Sequence, residues 1–124
     1  MLVVIAIAVG GAAGALARYG VDRLIEHHVF TIFPWSTFTI NVIGYFLAGL
    51  STAALVDRHH APDWLRIGVI VGFLGAYTTF STFSQETRDL LAGGQMSLAF
   101  LNVVGSASVG VAAVVAGNGL GRAL

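Results

Sequence analysis

Six basic and six acidic side chains are all the formal charge that this 124-residue chain carries, and they stand in four places. Arg18, Asp22, Arg23 and Glu26 form the first cluster, and Asp57, Arg58, Asp63 and Arg66 the second. Glu86, Arg88 and Asp89 form the third, and Arg122 stands alone. Between them lie charge-free runs over 1–17, 27–56, 67–85 and 90–121. About 20 apolar residues cross a hydrocarbon core of roughly 30 Å, and about 17 is the lower end of the range. The first run is a little short for a crossing, and the other three are long enough. Four transmembrane helices are therefore expected near 2–20, 36–56, 65–86 and 97–118, in a single all-α domain covering 1–124.

Composition excludes the other classes. Hydrophobic residues make up 56% and charged residues only 10%. A soluble domain carries roughly 25% charged residues, because its surface faces water. Disordered chains are poor in apolar residues and rich in charge, the reverse of this one. The absence of cysteine removes disulfides and thiolate chemistry. Zero net charge and the absence of lysine argue against nucleic acid as a partner. No nucleophile–base pair and no phosphate-binding loop stands out, so an enzyme is not expected. The paired histidines, His27-His28 and His59-His60, belong to opposite sides of the membrane and read as solvated loop residues.

Local signals support four helices. Pro34 precedes Ser36, a candidate cap for the second helix. Pro62-Asp63 precede the third, and Gly93-Gly94 make the last turn. Trp35 and Trp64 lie just outside spans, where amphipathic rings favour the membrane interface. Short connections make consecutive helices antiparallel in one bundle. Ala15-Leu16-Ala17 has the small-x-small pattern of a signal-peptide cleavage site. No basic residue precedes it, however, and the first run reads as a retained helix.

Four spans place both termini and loop 57–64 on one side, A, and loops 21–35 and 87–96 on the other, B. Side A then holds Arg58, Arg66 and Arg122, and side B holds Arg18, Arg23 and Arg88, so the difference is 3 − 3 = 0. Orientation normally follows an excess of Lys and Arg on the cytoplasmic side. With no excess, the chain is expected to insert both ways and to pair with an inverted copy of itself. The competing reading is one orientation set by something other than these few charges.

Several polar groups fall inside the spans. Gly10 and Gly14 form a GxxxG pair that lets helix backbones approach closely, and Gly68 and Gly72 repeat it. Asn41 lies within span 2 and must face the bundle, since a bare amide in lipid is costly. It reads equally as a pore donor or as an interhelical hydrogen bond. Span 3 holds Gly72-Phe-Leu-Gly-Ala-Tyr-Thr-Thr-Phe-Ser-Thr-Phe-Ser84, a poor helix former. Gly75 falls about 15 Å into the span at 1.5 Å per residue, near the bilayer midplane. A break there would free carbonyl oxygens as hard ligands for a small cation; the competing reading is a continuous helix whose hydroxyls bond their own backbone. Phe80 and Phe83 share a face, either as core or with their electropositive ring edges towards an anion. Ser81, Thr82 and Ser84 add O–H donors beside them. Span 4 carries Asn102, Ser106 and Ser108. Asn41, Phe80, Phe83 and Asn102 all fall in the half of the membrane nearer side B, with Ser106 closer to the middle. An inverted partner would supply the other half. Every acid is expected at a helix end or in a loop, which weighs against proton-coupled transport.

These residues resemble the small bacterial fluoride channel family known as Fluc or CrcB, over nearly the whole chain. Gly10-Gly11-x-x-Gly14-Ala15-x-x-Arg18-Tyr19 is similar to the first-helix motif, and Thr37-x-x-x-Asn41-x-x-Gly44 to the second. Gly72-x-x-Gly75 followed by Thr78-Thr79-Phe80-Ser81-Thr82-Phe83-Ser84 resembles the third-helix signature. Asn102 stands where a tyrosine is common in the family. The resemblance implies a passive channel that exports fluoride across the bacterial plasma (inner) membrane. It implies an antiparallel dual-topology dimer with the third helix broken near the midplane, two pores and a central structural sodium ion. By the same resemblance, Asn41, Phe80 and Phe83 line the ion path, with Ser81, Thr82, Asn102 and Ser106 as donors along it. Arg18 would lie near the pore entrance. The backbone carbonyls of Gly75 and Thr78, two from each subunit, would hold sodium. Two other classes stay in view. A dual-topology drug exporter would need a membrane-embedded acid in the first helix, where this chain has none; a non-transporting assembly protein would show no flux.

Overall fold

The computed structural model describes residues 1–124, and its regular structure is all helical. Four segments are long and apolar enough to cross a membrane: Leu2–His28, Trp35–Arg58, Asp63–Ala92 and Met96–Ala123. The third is interrupted. The helices are thus α1 (Leu2–His28), α2 (Trp35–Arg58), α3 (63–77), α4 (Phe80–Ala92) and α5 (Met96–Ala123).

The expected spans are all present, and each helix outruns its expected bounds. The segment 21–28, expected as loop, continues α1, which reaches 27 residues. That is about 40 Å at 1.5 Å per residue, more than the hydrocarbon core requires. Outside the lipid the last turns are held by polar contacts. Arg23 pairs with Glu26 at 3.1 Å, one turn on, and His28 Nδ1 lies 2.8 Å from the Leu24 carbonyl. Ser36 does not cap α2 as expected. Its hydroxyl donates instead to Asp22, tying α2 to α1. The Gly93-Gly94 turn is as expected: Gly94 has φ +75°, a conformation that L side chains rarely adopt.

Two facing pairs build the bundle: α1 lies along α3, and α2 along α5, with α4 leaning on α5. Close backbone approach makes both seams. A Cβ on Gly10 would sit 2.3 Å from the Gly68 carbonyl oxygen, so the α1 GxxxG pair meets the α3 pair directly. The α2–α5 seam was not anticipated. There a Cβ on Gly117 would sit 2.0 Å from the Phe46 carbonyl oxygen. The sidedness also agrees with the alternation of four spans. Arg58, the last residue of α2, donates to the Arg122 carbonyl at 2.7 Å on side A. On side B, Thr37 of α2 donates to Glu86 of α4 at 2.7 Å.

The third span breaks at Thr78-Thr79, where both residues are extended, with φ −79°, ψ 156° and φ −148°, ψ 117°. The helical segments on either side, 63–77 and Phe80–Ala92, are of similar length, so the break sits near the middle of the span. It falls three residues beyond Gly75, which is itself helical at φ −63° and ψ −32°. Two consecutive β-branched residues favour extended backbone, and a partner on α2 receives the amide that the helix gives up.

Candidate functional site

That partner is Asn41. Its side chain is only 4% exposed, and it grips both backbone polar groups of Thr79. Nδ2 donates to the Thr79 carbonyl at 3.0 Å, and Oδ1 accepts from the Thr79 N–H at 2.9 Å. In an unbroken helix that N–H would bond the Gly75 carbonyl, four residues back. The next turn is displaced in the same way. Thr79 Oγ1 accepts from the Thr82 N–H at 3.3 Å, capping α4, so this amide does not return to the Thr78 carbonyl. Neither the Gly75 nor the Thr78 carbonyl accepts any other backbone hydrogen bond. The side chains around the break therefore leave free the two carbonyls that the resemblance implicated. Gly75 lies exposed on the surface of the chain.

Two cavities flank the break. The larger is an open groove of about 560 Å³ whose wall includes Tyr45 of α2, Phe80 and Phe83 of α4, and Ser106 and Gly110 of α5. No residue in its lining carries a charge. The Phe80 and Phe83 rings stand 5.5 Å apart at 36°, with Phe80 exposed. A smaller cavity of about 140 Å³ lies between α1, α2 and α4, with Arg18, Asp22, Thr37, Thr79 and Thr82 among its walls. Arg18 forms no ion pair there, and Asp22 accepts from Ser36.

The expected site residues thus divide. Phe80, Phe83 and Ser106 share the groove. Arg18 and Thr82 share the small cavity. Asn41 is buried and lines neither cavity, its acceptor and one N–H held by Thr79. Ser81 lies on α4 with its Oγ 3.2 Å from Thr79 Oγ1. Asn102 is not in the groove at all: it is 1% exposed and donates to Thr87 Oγ1 at 2.9 Å.

Two residues of the site were not among the expected site residues. Thr37, only 3% exposed, lines the small cavity and holds Glu86. Glu86 corrects the expectation that every acid sits at a helix end or in a loop. It stands well inside α4, because the helix runs on to Ala92, and its Oε2 is buried without a partner. The Thr37 hydroxyl and the Glu86 carboxylate lie 49 residues apart, so no local pattern joins them.

Comparison with known proteins gives a consistent result. The model of a family described as CrcB-like protein, Camphor Resistance (CrcB), matches residues 5–118. The chain is similar to a fluoride-specific ion channel FluC of Maridesulfovibrio salexigens, at 41% identity over 94% of this chain and 92% of the relative. It is similar at 47% identity to one of Acidobacterium capsulatum, over 94% of this chain and 93% of the relative. A third relative of the same name, from Magnetococcus marinus, is 42% identical over 94% of each chain.

Proposed function

The chain belongs to the CrcB-like protein family, and from that premise we propose that it is a passive fluoride channel, a multi-pass protein of the bacterial plasma membrane. The observation that carries the reading is a mostly apolar, uncharged groove beside a mid-span break, which brings Phe80, Phe83, Tyr45 and Ser106 together. Fluoride is small and strongly hydrated, so a pore must replace its water with close donors. Ring edges of Phe80 and Phe83 and the Ser106 hydroxyl offer positive dipole ends without a fixed charge. A buried full cation would hold the ion too tightly to release it, and neutral donors permit both entry and exit. Arg18, at the small cavity, would raise the local anion concentration at the entrance.

The groove is open along one side, and the exposed Gly75 faces outward. A second, inverted copy would close both. The equal arginine count on the two sides supports that arrangement, with two pores per dimer. The freed carbonyls of Gly75 and Thr78 are hard oxygen donors of the kind that small cations take. They suit a structural sodium ion shared by the two subunits, whose charge would hold the two breaks together. Asn41 and the Thr79 hydroxyl serve that site by occupying the amides that would otherwise close the helix.

Two measurements test this reading. Purified protein reconstituted in liposomes should discharge a fluoride gradient, followed with a fluoride electrode, and should retain chloride. Liposomes that keep their fluoride, or lose both ions equally, would remove the channel assignment. A tag at the C-terminus should be reachable by an impermeant label from both faces of the membrane. Labelling from the cytoplasmic face alone would sink the identical inverted partner.

A further inference from the structure

Asn102 belongs to a hydrogen-bond chain that leads away from the groove and ends on the backbone that carries Phe83. Its Nδ2 donates to Thr87 Oγ1 at 2.9 Å, and Thr87 Oγ1 in turn donates to the Phe83 carbonyl at 2.8 Å. At the other end, Ser106 Oγ donates to Asn102 Oδ1 at 3.5 Å. The amide is enclosed within its own protomer at 1% exposure and is absent from the groove wall. It has no open side from which to touch a passing ion. Ser106 itself lines the groove, and a bond as long as 3.5 Å leaves its hydroxyl readily exchanged.

We propose that Asn102 is a positioning residue for fluoride conduction, acting through Thr87 to hold α4 so that the Phe83 ring stands opposite Ser106 across the groove. This rests on the fluoride-channel reading above and replaces the expectation that Asn102 lines the path. The geometry explains why an amide serves here. The α4–α5 contact is the lighter of the two that α5 makes, its main seam being with α2. A ring that is to present its edge at one depth must not slide along α5. One buried amide bonded to both helices fixes that register. Its donor goes to Thr87 on α4, and its acceptor to Ser106 on its own helix. Cutting the link leaves a buried polar group unpartnered, so the register loses its preference.

The test is a double-mutant cycle in reconstituted liposomes, with Asn102→Leu and Thr87→Val, each close in size to the residue it replaces. Fluoride efflux of each single variant should fall about tenfold, and the double variant should fall no further than the slower single one. Thr87→Ser, which keeps the hydroxyl, should recover most of what Thr87→Val loses. Losses that multiply in the double variant would overturn the proposal. So would Thr87→Val conducting as the natural chain does, since Asn102 would then act on the ion directly or not at all. Size exclusion in detergent reports assembly. If Asn102→Leu does not assemble, the Thr87 pair decides: equal rates for Ser and Val overturn it. Failure of the natural chain to pass fluoride is a separate outcome and counts against the channel reading itself.

Discussion

Asn41→Asp should lower fluoride efflux by a factor of a hundred or more while the protein still assembles. The exchange is nearly isosteric. One carboxylate oxygen still accepts from the Thr79 N–H, as Oδ1 does at 2.9 Å, so the Gly75 carbonyl stays free and the break survives. The other oxygen, however, replaces the Nδ2 that now donates to the Thr79 carbonyl at 3.0 Å, and sets two acceptors against each other. A negative charge also arrives next to the turn that carries Phe80. Like charges about 4 Å apart repel by roughly 4 kcal/mol at an effective dielectric of about 20. Each ~1.4 kcal/mol is about tenfold in rate, which puts the loss between a hundredfold and a thousandfold. The liposome assay is run at about pH 7 or above, to keep the new carboxyl ionised. Asn41→Leu supplies the contrast, because it removes both bonds without adding charge. The Thr79 N–H is then available to Gly75, and assembly itself should weaken. An Asn41→Asp protein that passes fluoride at the natural rate would show that Asn41 is packing alone.

What was legible in the sequence, and what was not, follows from the range of the forces involved. Four spans could be read because exclusion of charge from lipid acts on every residue of a run, whatever its neighbours. The break could be read because glycine, hydroxyl and β-branched residues weaken the helix locally. Its exact place could not. Thr78-Thr79 opens rather than Gly75 because Asn41, 38 residues earlier, takes the Thr79 amide. The helix ends were missed for a related reason. Beyond the lipid a helix continues as long as water and side chains satisfy it, and α1 does so through Arg23–Glu26 and Asp22–Ser36. Within the site, counting residues gave depth but not direction around the helix axis. Asn102 and Ser106 were both read as donors along the ion path, yet the first turns to Thr87 and only the second reaches the groove. Thr37 stood in the second-helix motif, but nothing local joined it to Glu86, 49 residues on.

Gly44→Ala should abolish the dependence of stability on sodium and reduce fluoride efflux about a hundredfold. Gly44 stands one turn beyond Asn41 on α2, and the two together hold the break from the same helix. A Cβ on Gly44 would lie 2.2 Å from Thr78 Cγ2 and 3.2 Å from the Tyr77 ring. Neither neighbour can yield cheaply. Thr78 is β-branched and stiff, and its Oγ1 is bonded to the Leu74 carbonyl at 3.0 Å. Tyr77 is buried at 4% exposure and stacks on Phe73 with only 7° between the rings. The added methyl must therefore move the Thr78 backbone, and with it one of the two free carbonyls. Overpacking of this kind costs roughly 1–3 kcal/mol, enough to displace a ligand set but not to unfold four spans. The natural protein is expected to melt at a higher temperature in sodium chloride than in N-methyl-D-glucamine chloride, and Gly44→Ala at the same temperature in both. Gly119→Ala is the control, since nothing lies within 4 Å of a Cβ there. If Gly44→Ala retained the full sodium-dependent rise, the Thr78 carbonyl would not be a sodium ligand, and the second-helix motif would need another explanation than support of the break.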